Sequence, residues 1–172
     1  MLKIKILIIF FLLFNFKVYA SDSFAIVDID FLMNKSKAGK YIKKNIKSNS
    51  DNIIKEFLSK EKKLREEESK LISQKKILSE EDFKKKATSL NKEILKFTNE
   101  KKKAIELSSK KRNKAFNELL NNINSLLVEY AAQKNITLVL DKKNIIMTKN
   151  ENDITKEIFE LLEKKISKIN IN

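Results

Sequence analysis

The chain has 172 residues, with 37 Lys and Arg against 23 Asp and Glu, for a formal net charge of +14. It contains no His and no Cys, which removes imidazole and thiolate catalysis, Cys/His zinc sites and disulfides. The positive excess favours anionic partners: nucleic acid, acidic lipid or lipopolysaccharide, or acidic polypeptide.

The first residues read as an export signal. Lys3 and Lys5 form a basic start, Ile6 to Phe14 is wholly apolar but short for a membrane span, and Val18-Tyr19-Ala20 has small residues at both ends of a cleavage triplet. Cleavage after Ala20 is expected, removing residues 1–20 and leaving a one-domain length outside the cytoplasm. No Cys follows to carry a lipid anchor. Export also separates the chain from the usual nucleic-acid targets, so no nucleic acid is expected as a partner.

Phe24 to Asp30 is a β-branched apolar run that predicts a strand. Asp30 is placed to cap a helix whose first turn buries Phe31, Leu32 and Met33. Ser36-Lys37-Ala38-Gly39-Lys40 interrupts the pattern with small residues, a bend or a close packing point. Asp28 and Asp30 share one face of the strand, but no further ligands cluster nearby, so they read as cap and turn residues rather than cation ligands.

Gly39 is the sole glycine and there is no proline, so residues 40–172 contain neither helix-breaking residue. Long uninterrupted helices are the natural consequence. Phe57, Leu64, Leu71 and Leu78 recur every seven residues, flanked by Ile46, Ile53, Ile54, Leu58 and Ile72, which is a coiled-coil seam. A second series, Phe83, Leu90, Phe97 and Ala104 with Ala87 and Ile94, is out of phase with the first. Between them Ser79-Glu80-Glu81-Asp82 offers a Ser cap and an acidic residue three positions on, so a turn is expected near 79–82. Each arm would be roughly 50 Å long.

The returning helix broadens into a wide apolar face at Phe116, Leu119, Leu120, Ile123, Leu126, Leu127, Tyr130 and Ala131, which should pack on a globular base. Asn135 can take the left-handed position that ends a helix. Residues 136–140 and 145–148 read as strands joined by a hairpin turn at 141–144, and Asp153 as the cap of a last helix with Ile154, Ile158, Leu161, Leu162 and Ile166 inward.

The fold class is therefore α+β, mainly α: a small β-containing body with a long antiparallel helical-hairpin arm. The body comprises residues 21–40 and 115–172 and the hairpin residues 41–114. Three short strands with bare edges, and arms that bury only a stripe, argue for a homo-oligomer.

Two segments carry a family resemblance. FAIVDIDFLMNKSKAGK (residues 24–40) and KNITLVLDKKNIIMTKNENDITKEIFELL (residues 134–162) resemble the opening strand and the closing strand–turn–strand and D-I-T helix start of the Skp (OmpH-like) family of periplasmic chaperones. The resemblance covers essentially the whole mature chain. It implies a homotrimer with a β-rich body and three helical tentacles around a cavity that holds unfolded outer-membrane proteins in the periplasm. It implies an ATP-independent holdase, not an enzyme and without cofactors, and the chain has no Gly-rich phosphate loop.

Within that expectation Lys84, Lys85, Lys86, Lys101, Lys102 and Lys103 are candidate anionic contacts, as well as plausible solvated surface. Phe57, Phe83 and Phe97 are candidate client contacts, as well as seam residues. Lipopolysaccharide or an anionic membrane surface is a further candidate ligand. Lys outnumbers Arg by 35 to 2, which disfavours a site built on bidentate phosphate recognition. The reading from a different class is an exported coiled-coil spacer of the cell envelope, marked by an unbroken rod.

Overall fold

A computed structural model of the protein describes residues 23–169. The expected signal segment lies outside the described residues.

The order of elements is strand β1 (Phe24–Val27), helix α1 (Ile29–Lys35), helix α2 (Lys37–Ser73), helix α3 (Glu80–Lys134), strand β2 (Leu138–Asp141), 3-10 turns at Lys142–Asn144 and Asn150–Asn152, and helix α4 (Thr155–Lys165). The chain is mainly helical with a two-stranded sheet. β1 and β2 pair in parallel, Phe24 opposite Leu138 through Val27 opposite Asp141. A parallel pair needs a long crossover, and here α1, α2 and α3 all lie within it.

β1 is shorter than expected because Asp28, not Asp30, starts the helix. The Asp28 carboxylate accepts the Phe31 N–H at 2.7 Å, leaving Asp30 in the first helical turn beside the positive end of the helix dipole. Of the three residues expected inside, Leu32 is buried and Met33 partly so, while Phe31 stays 40% exposed with its edge against Phe159.

Ser36 then breaks the helix. It adopts an extended backbone and its hydroxyl accepts the Gly39 N–H at 3.1 Å, so it caps α2. A Cβ on Gly39 would lie 1.9 Å from the Met33 carbonyl oxygen. The small residues therefore let α1 end directly on the first turn of α2.

α2 and α3 lie side by side, and their facing residues descend along one helix as they climb the other. Asn49 meets Ser108, Phe57 meets Phe97, and Lys75 lies over Phe83. α2 stops at Ser73, and the turn occupies 74–79, opening five residues before the expected tip. Leu78 thus belongs to the turn. Ser79 caps α3 by accepting the Asp82 N–H, and the Asp82 carboxylate takes the Ser79 hydroxyl instead of a backbone N–H.

Near the body α3 buries Ala115, Leu119, Ile123, Leu126 and Leu127 against Leu32, Ala38 and Ile42 of the first two helices, Ala25 and Val27 of β1, and Ile158 and Leu162 of α4. Asn135 ends α3 at φ 54°, ψ 37°, the left-handed cap its amide side chain tolerates.

The hairpin expected at 136–148 does not form. After β2 the Asp141 carboxylate accepts the Lys143 N–H and closes a 3-10 turn. Residues 145–148 make no strand, and Ile146 and Met147 are 105% and 90% exposed. β-branched composition marks a segment able to pair, but a strand also needs a free edge. In one chain, β1 pairs with β2 and also bridges Asp153, with Ile154 N–H donating to the Ile26 carbonyl at 3.0 Å. Asp153 precedes the α4 cap position, which Ile154 occupies, yet its carboxylate accepts the Thr155 N–H at 3.0 Å. Leu161, expected inside, is 37% exposed.

Two outcomes test these contacts. Gly39→Ala gains about 1 kcal/mol of helix propensity but forces its Cβ onto a carbonyl oxygen, so a net loss of about 1–3 kcal/mol is expected in urea melts. An unchanged or raised midpoint would show that the α1–α2 junction is loose. Burial pushes the Asp153 carboxyl up, but hydrogen bonds from Lys142 and Thr155 outweigh it and hold the group below its ordinary value. Its contribution is therefore fully present above the unfolded Asp value of about 3.9 and is lost as pH falls through the lower folded value. Asp153→Asn should cost about 1 kcal/mol at neutral pH and flatten the acid limb of the stability profile; parallel acid limbs for the two proteins would refute this.

Candidate functional site: the long arm

The arm is held by a narrow interior. Between residues 43 and 114, Phe57 is the one buried hydrophobic residue, 6% exposed, with its ring edge-on to Phe97 at a centroid distance of 5.8 Å. Leu64, Leu71, Leu90, Ile94 and Ala104 are half-buried along the same line. Cations cover the aromatic rings: Lys60 Nζ lies 5.4 Å from the Phe57 centroid, Lys101 5.7 Å from Phe97, and Lys75 6.0 Å from Phe83. The three phenylalanines therefore sit in the seam, Phe57 buried and Phe83 and Phe97 partly so.

Ion pairs flank this line on both sides. Lys60 reaches Glu56 at 2.8 Å on its own helix and Glu100 at 3.7 Å across the seam. Glu61 holds Arg65 at 2.9 Å and reaches Lys101 at 3.5 Å on the opposite flank. The Glu56 and Glu100 carboxylates hold the Lys60 ammonium above its ordinary pKa, and Arg65 with Lys101 holds the Glu61 carboxyl below. Exposed pairs of this kind contribute little stability. Two of them, Lys60–Glu100 and Glu61–Lys101, cross between α2 and α3 and match their facing residues.

The two lysine triplets are not brought together. Residues 84–86 and 101–103 are separated by about 25 Å of helix, from the rise per residue. Successive residues also point about 100° apart, so each triplet wraps around α3 instead of forming one patch. Lys85 pairs with Glu81 at 2.8 Å and Lys101 with Glu61, while Lys84, Lys86, Lys102 and Lys103 are exposed.

Apolar side chains left outside the seam are the feature the heptad pattern does not reveal. Ile54, Leu58 and Ile72, expected to flank the seam, are 53%, 60% and 63% exposed, and Leu95, Ile105 and Leu107 on α3 are exposed to a similar degree. Each of Ile54, Leu58 and Ile72 is one residue past a seam position (Ile53, Phe57, Leu71), a rotation of about 100° that turns it to the rim. The grooves along the arm are shallow, and of these six residues Leu58 lines one. One of about 440 Å³ is lined by the apolar Leu64, Ile94 and Phe97 together with Glu61, Arg65 and Lys101. Among the described residues no group of metal-ligating side chains converges, and no helix is long and apolar enough to cross a membrane.

Comparison with known proteins gives this geometry a family. Residues 23–162 match the outer membrane protein (OmpH-like) family. No curated protein sequence matches the chain significantly. Among solved structures, the chain is similar to that of a candidate outer membrane chaperone (OmpH-like) from Caulobacter crescentus CB15, with a TM-score of 0.80 at 15% identity, over 88% of this chain and 89% of that one. At that identity the likeness speaks for the fold. The family match spans nearly all of the described residues, body and arm together, and the chain belongs to the OmpH-like outer membrane protein family.

Proposed function

We propose that this protein is an ATP-independent holdase of the periplasm that binds unfolded outer-membrane proteins and keeps them from aggregating before membrane insertion. The observation that carries this reading is the arm. It leaves aliphatic side chains exposed on both helices among dense cations and offers only shallow grooves. Such a surface suits a partner without fixed shape. Each apolar contact is weak, the basic field steers acidic chains from a distance, and several contacts together give holding that can still be released. Family membership and the description of the Caulobacter protein as a candidate chaperone support the same class.

In this reading residues 41–114 form an antiparallel hairpin tentacle, residues 21–40 and 115–172 form the body, and three copies enclose the client. Lys84, Lys85, Lys86, Lys101, Lys102 and Lys103 are its candidate anionic contacts, and Phe57, Phe83 and Phe97 the candidate aromatic ones. Residues 145–148, strand-forming in composition and unpaired in a single chain, support association through the body. The turn at 74–79 weighs against an unbroken spacer rod.

The test uses residues 21–172, which contain every described residue. A urea-unfolded outer-membrane β-barrel protein is diluted with and without the chain while light scattering and complex mass are followed. Suppressed scattering, three chains per client and weakening at high salt are expected. Unchanged aggregation in the presence of a folded oligomer would sink the holdase reading and leave the envelope spacer.

A further inference from the structure

The chain is described beyond the family match, which stops at residue 162. Residues 163–169 complete α4 and continue past its end. Every third side chain of this segment turns inward. Glu163 is 18% exposed, Ile166 packs partly buried against the core, and Ile169 is 5% exposed within it. Lys164, Lys165, Ser167 and Lys168, between them, are exposed.

This segment touches both helices of the arm at their root. The Lys37 N–H donates to the Glu163 carboxylate at 2.6 Å, and Lys37 Nζ lies 3.4 Å from its other oxygen. Lys37 opens α2, so its N–H is one of the helix-start donors that have no partner within the helix. The Ser36 hydroxyl serves Gly39, and a residue 126 positions away serves Lys37. One turn along α2, Lys168 Nζ lies 5.9 Å from the centroid of the Tyr41 ring. On the α3 side, Lys165 Nζ reaches both oxygens of Glu129 at 3.2 Å.

We propose that residues 163–169 are a strap that fixes the angle at which the arm leaves the body. The core grips the start of α2 through Ala38 and Ile42. Lys37 and Tyr41 lie about 100° round the helix from them. Contact along one side of a helix leaves rocking about that side unopposed, and a second line of contacts opposes it. Each exposed ion pair in that line is weak. Burial of Ile166 and Ile169 anchors the segment, so its polar groups are held in place beforehand. The leverage is large, because a tilt of about 5° at the root moves the tip by about 4 Å over about 50 Å of arm. The same angle sets the space beside the arm for a client, a consequence that rests on the holdase reading. The angle itself does not.

The chain has no Cys, so spin labels can be placed at chosen sites. Lys76→Cys in the tip turn and Lys156→Cys early in α4 are exposed positions within residues 21–172. Nitroxide labels at both, with labelled chains diluted among unlabelled ones, give the body-to-tip distance distribution by double electron–electron resonance. A narrow distribution is expected. Ending the chain after Leu162 should broaden it about two-fold, because the root loses a line of contacts. Glu163→Ala with Lys168→Ala should broaden it to a lesser degree. Neither of those side chains is in the buried core, so this pair carries the test should the shortened chain fail to fold. Glu163→Gln keeps an oxygen for the Lys37 N–H and should stay narrow. So should Lys85→Gln, which breaks a pair far out on the arm. Helix content by circular dichroism confirms that each variant is folded. A broad distribution in the unaltered protein, or equal widths for it and the Ala pair, overturns the strap whatever happens to client holding. Equal broadening by Lys85→Gln also overturns it, since the softness would then lie in the arm and not at its root.

Discussion

A rod of two helices has only a narrow stripe to bury, so it cannot be the source of its own stability. Here that stripe holds a single buried hydrophobic residue, Phe57, between residues 43 and 114. Everything else depends on how the two ends of the arm are clamped. The clamp joins residues far apart in sequence: β1 with β2 in parallel register, Ile154 N–H on the Ile26 carbonyl, and Leu119 and Ile123 against Leu32, Ile42 and Ile158. The arm can therefore be polar and irregular on its surface without unfolding the protein. Its residues are freed for contact with something else.

The clamp also explains the small residues at the start of α2. The body must receive α1, α2, the last turns of α3 and α4 around one core. Ser36 and Gly39 let α1 end against the first turn of α2 at a separation that a Cβ would forbid. A larger residue at 39 would move the axis of α2 where it leaves the body. Since the arm is about 50 Å long by its rise per residue, a small tilt at the root becomes a large displacement at the tip.

Features governed by local chemistry were legible in the sequence. The Ser36 break, the Ser79 cap and the left-handed Asn135 each depend on a few adjacent residues, and all three occur. The heptad seam was legible too, because periodicity fixes which side of a helix is covered. Features that depend on a distant partner were not. Residues 145–148 have the composition of a strand, but composition does not supply an edge. Asp28 and Asp30 are equally good caps in isolation, and the strand's four-residue register with β2 decides between them. In the candidate site, lysine triplets catch the eye in sequence but scatter around the helix.

The strength of the arm's contacts bears on why more than one arm would be needed. Covering a half-exposed Ile or Leu contributes about 1 kcal/mol, and an exposed charge contact in salt contributes less. Three or four such contacts on one arm barely offset the cost of association, so a single arm would not hold a client even at millimolar concentrations. Linking several arms through one body makes later contacts intramolecular and raises holding by orders of magnitude. Release would stay fast because each contact could open separately. Under the proposed function, a surface built from exposed Ile54, Leu58, Ile105 and Leu107, instead of one deep pocket, would thus work only when multiplied. On this argument the unpaired segment after β2 and the weakly sticky arm answer one requirement.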